Sequence, residues 1–147
     1  MYRTVIKPFD DLRLIDLYDV LKLREEVFVI EQNCIYQDID DKDLNSIICY
    51  IKDESKKVIS TLRIIPYKDY IVLGRICTKK QYRNKHISES LITDSIDYIK
   101  ENFNIDKIVI EAQSYAVTYY QRFGFEKIDN EFLMDGIKHQ KMILKLK

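Results

Sequence analysis

Glycine and proline are scarce in this chain, three and two among 147 residues, and tryptophan is absent. A flexible linker or a low-complexity segment needs more of such residues, and no internal repeat is present. The chain therefore reads as one domain over residues 1–147, long enough to bury roughly 70% of its unfolded surface. A surplus of one charge sign is missing too, since 24 basic residues face 24 acidic ones. That balance excludes a global field for nucleic acid or an anionic membrane, so any anion must be met by local clustering. No apolar run approaches the ~18 residues of a membrane span, and the opening MYRTVIKPFDD has no apolar signal core. Cys34, Cys49 and Cys77 are an odd number without metal-type spacing, which predicts free thiols in a reducing compartment. His86 and His139 stand too far apart to nominate a zinc site, so no metal is expected. Together these absences predict a soluble, cytoplasmic protein.

What is present centres on the stretch from Gly74 to Phe103. It begins as the end of an apolar strand, Tyr70 to Ile76, and turns through Lys79, Lys80, Arg83, Lys85 and His86. It then becomes a helix, with Ile87, Leu91, Ile92, Ile96, Ile99 and Phe103 on one face. A strand, a cationic turn and a helix N-terminus make a site for a phosphorylated ligand, because the first-turn N–H groups are unpaired and the helix dipole is positive there. On charge alone, a solvated loop accounts for the same residues.

In chain order, Tyr2 to Lys7 predicts an edge strand stopped by Pro8. Asp10 or Asp11 caps a helix with Leu14, Leu17, Tyr18 and Leu21 on one side, and Leu23 to Ile30 forms a second helix after a bend. The carboxylates from Asp38 to Asp43 are spaced like a calcium loop, but Lys42 sits at a ligand position and the turn glycine is missing, so calcium is rejected. Ile47 to Lys52 and Val58 to Ile65 form a hairpin, followed by the Tyr70 to Thr78 strand. After the central helix, Ile105 to Gln113 reads as a strand covered on both faces, and the crossover makes it parallel to its predecessor. Ser114 caps a short helix, Tyr115 to Arg122, ended by Gly124. Phe125 to Phe132 and Lys138 to Leu146 close the chain as two strands turning at Asp135-Gly136. The fold class is mixed α/β.

This order of elements resembles the GNAT N-acetyltransferases. Leu23-Arg24, Val27 through Cys34, Tyr36 through Asp40, Gly74-Arg75-Ile76, Ala112-Gln113, Tyr120 through Gly124-Phe125, and Asp135-Gly136-Ile137 with His139 and Met142 are similar to the ElaA branch of that superfamily. The likeness runs from about residue 12 to 143. It implies an α+β GNAT fold: about four helices and a mainly antiparallel sheet of six to seven strands, whose fourth and fifth are parallel. It also implies acetyl-CoA as donor, a small-molecule or protein amine as acceptor, and, as in many GNAT proteins, a homodimer.

Residue by residue, the resemblance places Ile76, Cys77 and Thr78 along the pantetheine arm. It places Arg83, Asn84, Lys85, His86, Ile87, Ser88, Glu89 and Ser90 around the pyrophosphate. The family's loop has small residues where this chain has His86 and Ser88; histidine tolerates a positive φ better than a branched residue, and serine is small. Tyr120 matches the tyrosine that protonates the leaving thiolate, and Glu31 and Glu111 are the candidate bases. Arg24, Gln32, Asp38, Gln113 and His139 are candidates for the acceptor pocket, with Asp40 beside them. Gly74-Arg75 is read as a bulge that opens the slot between the two strands. A CoA-binding scaffold without turnover, and an acyl-homoserine-lactone synthase on a related fold, are the alternatives.

Overall fold

A computed structural model describes residues 2–146. Its elements are β1 (Thr4–Pro8), α1 (Leu14–Arg24), β2 (Ile47–Lys52), β3 (Val58–Pro66), β4 (Ile71–Thr78), α2 (Ile87–Asn102), β5 (Lys107–Gln113), α3 (Val117–Gln121), β6 (Glu126–Lys127), β7 (Phe132–Met134) and β8 (Ile137–Lys145). The eight strands form one sheet in the order β1-β2-β3-β4-β5-β8-β6, with β7 also on β8. Every pairing is antiparallel except β4 with β5, as the crossover through α2 requires.

α2 covers one face of the sheet, burying Ile87, Leu91, Ile92, Ile96 and Ile99 against Cys49, Ile51, Leu62, Ile64, Ile108 and Ile110. Its four- and three-residue spacing makes that stripe, as expected from the sequence. A smaller cluster on the other face joins Val20, Leu23 and Val27 to Ile48, Tyr50, Val58 and Cys77. Among the described residues, no helix is long and apolar enough to cross a membrane.

Five local expectations change. Leu23 to Ile30 is not a second helix, because α1 runs straight into a π-helical segment, Glu25–Glu31. Asp10 and Asp11 lie in a 3-10 turn, Arg13 holds the N-cap position of α1, and α1 has no side-chain cap. The expected apolar face of α1 points outward: Leu14 and Tyr18 are exposed, while Asp16, Asp19 and Arg24 are buried. Asp16 explains this, since Lys52 pairs with it at 2.5 Å and the Tyr50 hydroxyl donates to it at 3.1 Å. Near the C-terminus, the single strand expected over Phe125 to Phe132 splits into β6 and β7. Gln140 causes the break, because its side-chain amide donates to the carbonyls of Ile128 and Asp129. The short helix, expected from Tyr115, starts at Val117 after a 3-10 turn, and Ser114 caps nothing.

Candidate active site

β4 and β5 pair at only two positions, Ile71 with Ile108 and Val72 with Val109, and then part. The cause lies in β4. Gly74 stands opposite Arg63 and Cys77 opposite Thr61, so Arg75 and Ile76 together face a single residue of β3. This is the expected bulge, with one refinement: Arg75 and not Gly74 takes the positive φ, 51°. A bulge bends its strand, and the bend opens a cleft of about 1150 Å³ between the two strands.

Backbone directions along the free edge of β4 follow from its partners. Lys79 N–H donates to Ile59 O at 2.8 Å, and Cys77 O accepts from the Ser60 hydroxyl. Cys77 therefore turns its backbone toward β3, and strand alternation turns Ile76 and Thr78 away from it. Thr78 O accordingly accepts from Arg83 Nε at 2.9 Å. Of the three residues expected along the pantetheine arm, Ile76 and Thr78 offer backbone groups to the cleft. Cys77 does not, and its buried thiol is pushed up by desolvation.

At one end of the cleft α2 begins without a side-chain cap. Asn84 and His86 take the left-handed conformation, at φ 62° and 63°. The N–H groups from His86 to Glu89 have no partner among the described residues. Ser90 is different: its N–H and its hydroxyl both donate to His86 O, so it has no free donor. The Ser88 hydroxyl bonds the Tyr119 hydroxyl at 2.6 Å, and Glu89 sits between His86 Nδ1 and Arg122. The cations of the turn are partly neutralised. Arg83 holds Glu31 with two bonds of 2.5 and 2.8 Å, and Lys79 stands 3.9 Å from Glu26. Lys85 remains exposed, its ammonium over the Tyr82 ring.

Tyr120 lines the cleft between Tyr119 and Phe125, in edge-on contact with both rings. Its hydroxyl makes no hydrogen bond among the described residues, and burial raises its pKa. Glu31 also lines the cleft, but the Arg83 guanidinium holds its carboxyl below the ordinary range, which makes it a poor proton acceptor. Glu111 lies on β5 directly opposite Lys141 of β8. Gln32 and Gln113 form a reciprocal amide pair at 3.0 and 3.1 Å, tying the end of the π-helical segment to the end of β5. His139 stands opposite Gln113 on β8, stacked on Phe132.

Arg24 and Asp38 do not line this cleft. They belong to a buried network behind the bulge that the sequence reading did not assemble. Arg24 donates to Asp38 at 2.9 Å and to Asp43 at 2.7 and 3.1 Å; Arg63 grips Asp40 with two bonds of 2.8 Å and reaches Asp43 at 3.2 Å. Arg75 pairs with Asp38 at 2.7 Å and contacts Asp40 at 3.3 Å, and Tyr36 donates to Asp38. Three arginines thus meet the three aspartates that were spaced like a calcium loop. The signal was present in β3, where Arg63 stands between the apolar Leu62 and Ile64.

The family model of the acetyltransferase (GNAT) domain matches residues 17–146. A UPF0039 protein of Schizosaccharomyces pombe is 33% identical over 144 residues, covering 97% of this chain and 96% of that one. Protein ElaA of Escherichia coli is 30% identical over 133 residues, 88% of this chain and 87% of its own. Its crystal structure superposes with a TM-score of 0.91, at 26% identity over 98% of this chain and 99% of that one. An acyl-CoA N-acyltransferase from Pseudomonas aeruginosa gives a TM-score of 0.92, at 27% identity over 98% and 99%.

Proposed function

Because the chain belongs to the GNAT acetyltransferase family, we propose that it transfers the acetyl group of acetyl-CoA to a primary amine, on a small molecule or a protein, by direct attack in a ternary complex. One observation carries the reading: the gap between β4 and β5 ends at an uncapped helix N-terminus. A left-handed residue followed by helical ones makes a concave set of N–H groups suited to phosphate oxygens, and the helix dipole adds to it. Asn84, Lys85, His86, Ile87, Ser88 and Glu89 make up that cradle. Its conformation is carried by asparagine and histidine in place of glycine, two residue types that enter the left-handed region more readily than most. Arg83 shapes the turn through Thr78 O and Glu31. The amide-bearing pantetheine arm suits the outward backbone groups of Ile76 and Thr78. A β4 N–H at the thioester carbonyl would stabilise its developing oxyanion.

Tyr120 then protonates the departing thiolate. Burial keeps the phenol in its protonated form, the form a general acid needs. The test is a thermal melt with acetyl-CoA, with adenosine diphosphate as control, followed by Tyr120→Phe. At a hundred times its dissociation constant a ligand adds about 2.7 kcal/mol, several degrees for a domain of this size. The expected result is a shift with acetyl-CoA that Tyr120→Phe retains, while thiol release falls by about a hundredfold. No shift overturns the donor reading. A shift without thiol release leaves a CoA-binding scaffold.

A further inference from the structure

An amine acceptor arrives as an ammonium ion, near pKa ~10, and must lose a proton before it attacks. Of the two carboxylates expected to take it, Glu31 is held by Arg83 through two hydrogen bonds, and Glu111 is an exposed side chain of β5 opposite Lys141 that nothing orients toward the cleft. His139 is both oriented and buried. Its Nδ1 lies 2.8 Å from Ile137 O. A carbonyl oxygen only accepts, so Nδ1 carries the hydrogen and Nε2 carries the lone pair. The ring is held by stacking on Phe132, at 5.8 Å and 29°. His139 is 8% exposed, yet its Nε2 is not among the sealed, unpartnered polar atoms, which are Arg63 Nε, Arg75 Nε and Ser114 Oγ. Nε2 makes no hydrogen bond among the described residues. An oriented, unclaimed proton acceptor therefore opens on the cleft that this residue lines.

We propose that His139 is the general base that deprotonates the acceptor amine; this rests on the acetyl-transfer reading above. Nε2 takes one proton from the ammonium. The freed lone pair forms the C–N bond at the thioester carbonyl, and the C–S bond breaks with its electron pair on sulfur. Tyr120 gives that sulfur a proton and recovers one from the adduct nitrogen through water. His139 returns its own proton to solvent, so each turnover releases one proton. Gln113, opposite His139 and clasped to Gln32, lines the same cleft. The charged residues on the same face of β5 and β8 are Glu111 opposite Lys141 and, farther along, Lys107 opposite Lys145, and β6 adds Glu126 opposite Ile143. β7 brings none, Asp135 lies in the turn beyond it, and the π-helical segment ends at Glu31, held by Arg83, followed by the neutral Gln32.

Two variants separate chemistry from structure. His139→Asn places an amide nitrogen where Nδ1 stands, keeping the donation to Ile137 O but removing Nε2. His139→Gln places its amide near Nε2. Thiol release from acetyl-CoA is followed with spermidine, ethanolamine and glycylglycine, and with water alone, between pH 6 and 10. His139→Asn is expected to keep the acetyl-CoA melting shift and lose about a hundredfold or more in kcat/KM at pH 7. That deficit shrinks toward pH 10, where the amine deprotonates unaided, and His139→Gln is equally impaired. A His139→Asn rate within about threefold of the parent at every pH overturns the assignment. So does a wild-type protein that shifts with acetyl-CoA but releases no thiol above the uncatalysed rate with any probe. Absence of the shift itself removes the donor reading, and the base falls with it.

Discussion

Arg75 holds a left-handed backbone that a glycine would adopt at lower cost, and its side chain gives the reason. The guanidinium pairs with Asp38, accepts the Tyr36 ring beneath it at 5.5 Å, and touches the same aspartates that Arg24 and Arg63 hold. Asp40 sits far below the ordinary carboxylate range; burial opposes this, but the bonds from Arg63 outweigh it. Arg24, 1% exposed, is the most enclosed of the three cations. Its replacement by methionine leaves Asp38 and Asp43 buried with part of their compensation gone, at a cost of about 3–5 kcal/mol. Urea unfolding of Arg24→Met is expected to show that loss, and a loss below about 1 kcal/mol would mean the network relaxes around the gap. At this scale the sequence was legible where chemistry is local. Tyr120, singled out by the family resemblance, lines the cleft four residues before Gly124. It was misleading where partners are distant: Arg24 and Asp38 were read toward an acceptor, because nothing between residues 24 and 63 shows which charges meet.

Elements built on a clear period came through intact. α2 and β2 to β5 lie where their apolar patterns put them, since both faces of those patterns are decided by burial in one sheet. α1 did not, because its buried side mixes Val20 and Leu23 with Asp16, Asp19 and Arg24. Its Asp16 carboxylate is held at about 2; burial works against the charge, and hydrogen bonds from Lys52, Arg13 and Tyr50 prevail. The group's pKa is lower in the folded chain than its ordinary 3.8, so its stabilisation is complete above about pH 5 and lost as pH falls toward 2. The expected size is about 2 kcal/mol. Stability measured by urea between pH 7 and 2.5 should decline less steeply in Asp16→Asn than in the parent, although the variant starts lower. Equal slopes would mean that α1 is not anchored to β2 by this charge. The split of β6 from β7 was illegible for a related reason: a single side chain, Gln140, replaces the ladder there.

Across the whole molecule the sheet behaves as two panels, β1–β4 and β5–β8, sharing two paired residues and the cover of α2. Topology of this kind is readable from element order, and the crossover helix between β4 and β5 extended the reading to the parallel pair. How the panels are laced together was not readable, because Gln32 with Gln113 and Cys34 with Asp135 O are separated by 81 and 101 residues. The last of these contacts has a practical side. Cys49 is buried, its thiol pushed up to about 12, and Cys77 is buried and raised further, whereas Cys34 lies half-buried at the mouth of the cleft. A chromogenic disulfide reagent should therefore count one rapid equivalent on the native protein and two more on unfolding. The same reagent used to follow liberated CoA would be consumed by the protein itself, with a baseline of one equivalent per chain that Cys34→Ser abolishes.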